Sequence, residues 1–208
     1  MLVTTSTLGK AQPHAPIVYA IDSATSEIHW RVYKSGILSD LGHNHVIAVA
    51  KPAGKVFLSQ TLSESRIEME LSVADLIIDN PTLRSRYGED FSSEPSAADI
   101  AGTRNNMLSQ SVLNGTKFPN IKITGTALSG FGVGQTVDLV IQLLDRTISV
   151  NVPINVERTA DGVIQVHSEF QITHDQLGLK PFRVMMGALQ VADEIDFSVR
   201  IRAVMSSL

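Results

Sequence analysis

Leu41-Gly42-His43-Asn44-His45 is the stretch of the 208-residue sequence whose residue types and spacing best suit chemistry. Side chains at i and i+2 of an extended chain project to the same side, so His43 and His45 can share a metal ion. Two imidazoles do not complete a metal site. His174, which with Asp175 opens another irregular stretch, is an expected third ligand, and His29 and His167 on polar strand faces are alternatives. Such a centre would take a divalent cation, either as a bound metal or at the heart of a metal-dependent enzyme. The competing reading is a pair of hydrogen-bonded histidines with no metal.

Other chemistry is sparse. Cysteine is absent, which removes thiolate zinc sites, iron-sulfur clusters, disulfides and cysteine nucleophiles together. The sequence has no Gly-x-Ser-x-Gly elbow and no phosphate-binding Gly-x4-Gly-Lys-Ser/Thr loop. Gly130, Gly132 and Gly134 fail the dinucleotide fingerprint, since Gln135 follows without a helix, and they read as a hairpin turn. The acidic pairs Glu68/Glu70 and Asp193/Glu194 fall on polar strand faces or edges, where solvated carboxylates are the norm. Arg84, Arg86, Arg104 and Arg183 lie in or beside irregular segments, where they either solvate a loop or meet an anionic head group. Asn114-Gly115-Thr116 matches a glycosylation sequon, but Asn-Gly at a helix end is explained by the left-handed cap it favours.

Charge and hydropathy narrow the partners. Seventeen Lys and Arg against 21 Asp and Glu give a net charge of -4 with no basic tract, which argues against nucleic acid. The longest apolar run, Val46 to Ala50, is far short of the roughly 20 residues of a membrane-spanning helix. Met1 to Pro16 lacks the basic start and apolar stretch of a secretory signal and reads as a flexible tail before one domain at 17–208.

The elements that must position these groups are strands. Val, Ile and Thr make up 52 residues, and branched side chains suit a pleated surface. Apolar residues alternate with polar ones at Ile28-Trp30-Val32, at Ile67-Met69-Leu71-Val73 and along Val137 to Leu143. They do so again along Ile148 to Val156, in 163–173 and along Ile195 to Ile201. The run 121–127 and weaker candidates at 45–50 and 54–58 bring the count to eight or nine. Pro153 cannot donate to a ladder and places an edge or a bulge in its strand. Asp161-Gly162 suits a two-residue hairpin turn. One segment changes period: Ile100, Arg104, Met107 and Leu108 recur at helical spacing behind Ser93 and Pro95, which predicts one α-helix over about 95–112. Segments 75–94 and 174–190 read as loops.

A long antiparallel meander with one-sided apolar strands closes into a barrel or folds into two packed sheets, and closure is preferred here. The inward faces are built from Val, Ile, Leu and Met, with only 11 aromatic residues in the chain, so a hollow interior is plausible.

Several segments, in order, resemble the YceI-like family of lipocalin-like, polyisoprenoid-binding proteins. They are Tyr19-Ala20-Ile21-Asp22 leading into 26–32, Phe118-Pro119-Asn120-Ile121-Lys122-Ile123, Gly178-Leu179-Lys180-Pro181-Phe182, and Gly187 to Glu194. The resemblance spans about residues 17–205. It implies an all-β fold, an extended eight- to nine-stranded antiparallel lipocalin-like barrel with one helix, and a binding protein rather than an enzyme. It further implies export to the periplasm, with the cytoplasm as the alternative location, and an isoprenoid or similar long amphiphile, polyprenyl or quinone-like, as ligand. On that reading Trp30, Met69, Leu71, Leu139, Ile141, Val150, Val152 and Phe170 line the lumen, with Phe182, Met185 and Met186 near a mouth. No organic cofactor is expected, and pairing of two barrels is open. The histidine pair and the run Tyr87 to Gln110 depart from the commoner family pattern.

Overall fold

The computed structural model describes residues 15–206. The tail expected at 1–16 lies outside these, apart from its last two residues. Twelve strands form one antiparallel sheet: β1 (Ile17–Ile21), β2 (Glu27–Ser35), β3 (His45–Val49), β4 (Gly54–Leu58), β5 (Arg66–Ser72), β6 (Leu76–Ile78), β7 (Asn120–Thr126), β8 (Gly132–Leu143), β9 (Arg146–Arg158), β10 (Ile164–Thr173), β11 (Arg183–Val184) and β12 (Leu189–Met205). Two helices, α1 (Pro81–Arg84) and α2 (Ala97–Leu108), lie between β6 and β7.

Eight strands close a ring in the order β1-β4-β5-β7-β8-β9-β10-β12, and β12 returns to β1 through Tyr19 opposite Met205 and Ile21 opposite Ala203. Closure pairs the two edges that the eight-stranded meander would otherwise leave open. The 17 residues of β12 make this possible. One edge runs along β10 from Thr173 to Ile164, and the other is shared between β2, from Gln190 to Arg200, and β1. A further run of pairing stands above the ring. After one turn at Val73–Asp75, β5 continues into β6, which pairs with β3, and β3 pairs with β2. The barrel is therefore extended, with β1 and β4 at its lower end and β2, β3 and β6 at its upper end.

Alternation in the sequence becomes an inside and an outside. Met69 and Leu71 of β5 are buried while Glu68 and Glu70 are exposed, and Val152, Ile154 and Val156 of β9 point inward between exposed neighbours. One apolar cluster fills the lower end around Tyr19, Ile21, Met69, Val152 and Ile201. Another fills the upper end around Ile47, Leu76, Leu143, Ile172 and Ile195. Strands β4 and β5 approach so closely that a Cβ on Gly54 would lie 2.3 Å from the Glu68 carbonyl oxygen. Gly54→Val is expected to cost about 1–3 kcal/mol, read as a lower urea midpoint, because it overpacks that ladder.

The structure departs from the sequence expectations at several points. The helix begins at Ala97, not 95, because Ser96 and not Ser93 caps it: the Ser96 hydroxyl accepts from the Asp99 amide and the Asp99 carboxylate accepts from the Ser96 amide. It ends at Leu108, and the left-handed Asn114 (φ 44°) belongs to the turn that follows, not to the cap. Segment 75–94 holds β6 and α1 as well as loops, with Asn80 capping α1 and Pro81 in its first turn. Asp161-Gly162 sits inside a five-residue connection, 159–163. The two-residue turn is instead Leu144-Asp145, where Leu143 pairs with Arg146 and Leu144 takes the positive φ (57°). Pro153 lies within the ring, not at an edge. The β9–β10 pairing stops at Asn155, so the missing amide faces no ladder, and the Ser168 hydroxyl donates to the Pro153 carbonyl.

Candidate functional site

The barrel is not filled by its own side chains. An upper cavity of about 320 Å³ and a lower one of about 190 Å³ lie along the axis. Trp30, Leu71, Ile123, Ile141, Leu177 and Phe197 line both, so the two chambers share a waist. The lower chamber is walled almost wholly by aliphatic and aromatic side chains. The upper chamber opens at a polar mouth bearing Lys34, His43, His45, Thr103, Asn106 and Gln190. Its volume falls within the roughly 300–1,000 Å³ typical of small-molecule sites.

The histidine loop is set from behind. Asn44, buried between the two histidines, accepts from the Lys34 amide (2.9 Å) and donates to the Asp90 carbonyl (2.8 Å). With Asn44 turned away, His43 and His45 share the cavity side, their ring centres 6.3 Å apart. His45 Nδ1 donates to Asp79 Oδ2 (2.6 Å), because a carboxylate can only accept, and Nε2 then faces the Thr103 hydroxyl at 3.3 Å. Thr103, Asn106 and Met107 form one face of α2, at i, i+3 and i+4. Ile100, Met107 and Leu108 pack on the upper core. Arg104 fastens the helix by donating to the Leu76 carbonyl (2.7 Å) and the Ala74 carbonyl.

Asp79 is the hinge of this arrangement. Its side chain is inaccessible to solvent and it takes a left-handed backbone (φ 55°). Oδ1 accepts from the Val46 amide (3.0 Å) and from Arg84 (2.6 Å), while Oδ2 holds His45. Burial alone would push the carboxyl up, but the hydrogen bond and charge of His45, the Val46 amide and Arg84 outweigh it and hold Asp79 below its usual range.

The expected wall residues fall into clear places. Trp30, Leu71 and Ile141 line both chambers, Met69, Leu139, Val152 and Phe170 line the lower one, and Phe182 lines the upper one. Val150, Met185 and Met186 stand elsewhere. Val150 packs into the core between the two clusters. Met185 and Met186 sit in a turn with positive φ (50° and 57°) that carries them out to solvent, at 64% and 105% exposure, just beyond the wall residue Val184. None of the four arginines lines either chamber. Arg84 is buried and donates to Asp79, to the carbonyls of Asn44, Phe91 and Ser93, and to the Ser93 hydroxyl. Arg86 pairs with Glu27 on the surface, Arg104 secures α2, and Arg183 is exposed on β11.

His43, His45 and His174 all line the upper chamber. His174 donates from Nδ1 to the Asp193 carbonyl (2.9 Å), as His45 does to Asp79, so each keeps one ring nitrogen engaged by the protein. Among the described residues, no three His, Cys, Asp or Glu side chains are grouped so as to hold a metal ion. His29 is not on a polar face: it is 2% exposed beneath Tyr87, and burial lowers its pKa. His167 is engaged on the outer face by Arg200 (2.8 Å). The sequence reading missed Lys34, Thr103, Asn106 and Gln190. Lys34 had a usable signal, since it continues the inward register of Trp30 and Val32.

A closed antiparallel barrel with an apolar, two-chambered interior and one polar mouth belongs to the class of lipocalin-like hollow barrels. The sequence matches the YceI-like domain across residues 19–203, and the chain belongs to that family. Among solved structures it is similar to BcnA of Burkholderia cenocepacia (TM-score 0.62, 13% identity, covering 88% of this chain and 99% of that one). It is also similar to a polyisoprenoid-binding domain from Saccharophagus degradans implicated in plant cell wall breakdown (TM-score 0.60, 11% identity, 91% and 99%). A third likeness is to the YCEI protein of Campylobacter jejuni (TM-score 0.52, 9% identity, 77% and 85%). At these identities the likenesses concern the fold alone. No curated protein matches the sequence. Among the described residues, no helix is long and apolar enough to cross a membrane.

Proposed function

We propose that the protein binds a long isoprenoid amphiphile, with the chain in the barrel and the head group at the polar mouth, and so carries or stores it. The observation that carries this reading is the pair of apolar chambers joined at a shared waist. An axial space of that kind fits a chain better than a compact solute. The polyisoprenoid binding ascribed to the Saccharophagus domain of similar fold supports the choice of chain. At about 0.8 kcal/mol per buried methylene, ten sequestered carbons contribute roughly 8 kcal/mol, which is comparable to the cost of association. Long chains therefore bind tightly and short ones only weakly.

Organic extraction of the purified protein, followed by mass spectrometry, tests the proposal. A stoichiometric isoprenoid lipid, or uptake of an added C20 to C40 prenyl chain in native mass spectra, is the expected result. Protein that stays empty in the presence of such chains overturns it.

A further inference from the structure

We infer that the head group bound at the mouth is anionic, a phosphate or a carboxylate, rather than neutral like a quinone or an alcohol. This rests on the carrier reading above and adds the chemistry of the other end of the ligand. Lys34 carries the argument. It lies on β2 two residues beyond Val32, in the register that points Trp30 and Val32 into the lumen, and all three line the upper chamber. Lys34 is half-buried on the wall of the mouth, so it is an inward-register cation on a chamber that is otherwise mostly apolar. Among the described residues, no carboxylate lies within ion-pairing distance of it, and the wall of the upper chamber includes no Asp or Glu.

The surrounding groups add hydrogen bonding. Thr103, Asn106 and Gln190 line the chamber beside Lys34 and can donate to an oxyanion, and His43, His45 and His174 complete the rim. The nearby carboxylates are occupied. Asp79 lies behind the wall, balanced by Arg84 and His45, and Asp99 is bound to the cap of α2 with His43 4.0 Å away. An arriving anion would meet the Lys34 ammonium and the neutral donors of Thr103, Asn106 and Gln190, with no acidic side chain on the wall to repel it. The Lys34 ammonium bonds more strongly to an anionic head, where donor and acceptor are both charged, than to an uncharged head of the same size. The arginines singled out in the sequence do not supply this charge, because none of them lines the chamber.

The single tryptophan, Trp30, lies on the walls of both chambers and reports filling directly by its fluorescence. Three ligands with one chain, geranylgeranyl phosphate, geranylgeranoic acid and geranylgeraniol, are titrated into the protein, with inorganic phosphate as a fourth arm. The phosphate and the acid are expected to bind about tenfold to a hundredfold more tightly than the alcohol at low salt. Lys34→Met should remove most of that difference, weakening the phosphate and the acid about tenfold or more relative to the alcohol. Inorganic phosphate alone should neither quench Trp30 nor displace the bound chain at the concentrations where the prenyl phosphate saturates. Equal affinity for all three heads overturns the inference and leaves the carrier reading standing, as does a Lys34→Met variant that weakens all three alike. Absence of binding by any of the three overturns both.

Discussion

Replacement of Arg84 by Ala is expected to destabilise the protein by about 3–5 kcal/mol, the cost of leaving a buried charge without its partner. At roughly 2–4 °C per kcal/mol for a domain of this size, the melting temperature should fall by on the order of 10 °C. The size of the effect follows from what Arg84 holds. Its guanidinium joins Asp79, itself out of contact with water, to three backbone carbonyls and a hydroxyl contributed by 44, 91 and 93. Those contacts fasten α1 and the 89–93 segment over the outer face of β3, where Val46, Ala48, Leu83 and Phe91 form a separate apolar cluster. Arg84→Lys should rescue little, since one ammonium cannot reproduce a planar fork with five donors. A urea midpoint shifted by an amount equivalent to less than about 1 kcal/mol would refute this account.

Asp79, held by His45, the Val46 amide and Arg84, gives a pH dependence with a definite sign. Asp79 is held below its usual value in the folded protein, so the unfolded chain takes up its proton first as pH falls. The stabilisation from this group is full above about pH 4 and is lost as the pH falls below that value, through the folded pKa. Asp79→Asn should flatten that part of the acid limb while lowering stability at neutral pH.

How much of this was legible in the sequence depends on how local the signal was. Alternation along β5 and β9 places Met69, Leu71 and Val152 inward with no tertiary information, because the strand period alone fixes the face. The helix was visible from its 3.6-residue spacing, but its start was not, since both Ser93 and Ser96 suit a cap and only the Asp99 reciprocity at Ser96 decides between them. Asp79-Asn80-Pro81 carries a helix-start signal that was available. Asp79's role was not, because it depends on His45 and Arg84 arriving from either side. Met185 and Met186 are expected near a mouth as ligand contacts. Their left-handed backbone, which nothing in the residue types requires, turns them outward. A hollow is the least legible feature of all, since the same aliphatic side chains fill a core or frame a space according to how far apart the barrel holds them.

Narrowing the waist should set a limit on chain length. Ile141 lies on β8 opposite Ile123 of β7 and Ile148 of β9, and its side chain borders both chambers. Ile141→Phe adds volume where the chambers meet, next to open space, so the added ring projects into the passage instead of being forced into packed neighbours. A C10 chain that ends within the upper chamber should keep its affinity within about twofold. A C20 chain that would otherwise enter the lower chamber loses about 0.8 kcal/mol for each methylene turned back. Four such carbons weaken binding by roughly 3 kcal/mol, or on the order of a hundredfold. Calorimetric titration of both chain lengths into the parent and the variant measures the difference. Equal losses for C10 and C20 would mean that the mutation disturbs the mouth or the fold and not the passage. No loss for either would mean that the lower chamber takes no part in binding, and the ligand would then be a shorter molecule held in the upper chamber alone.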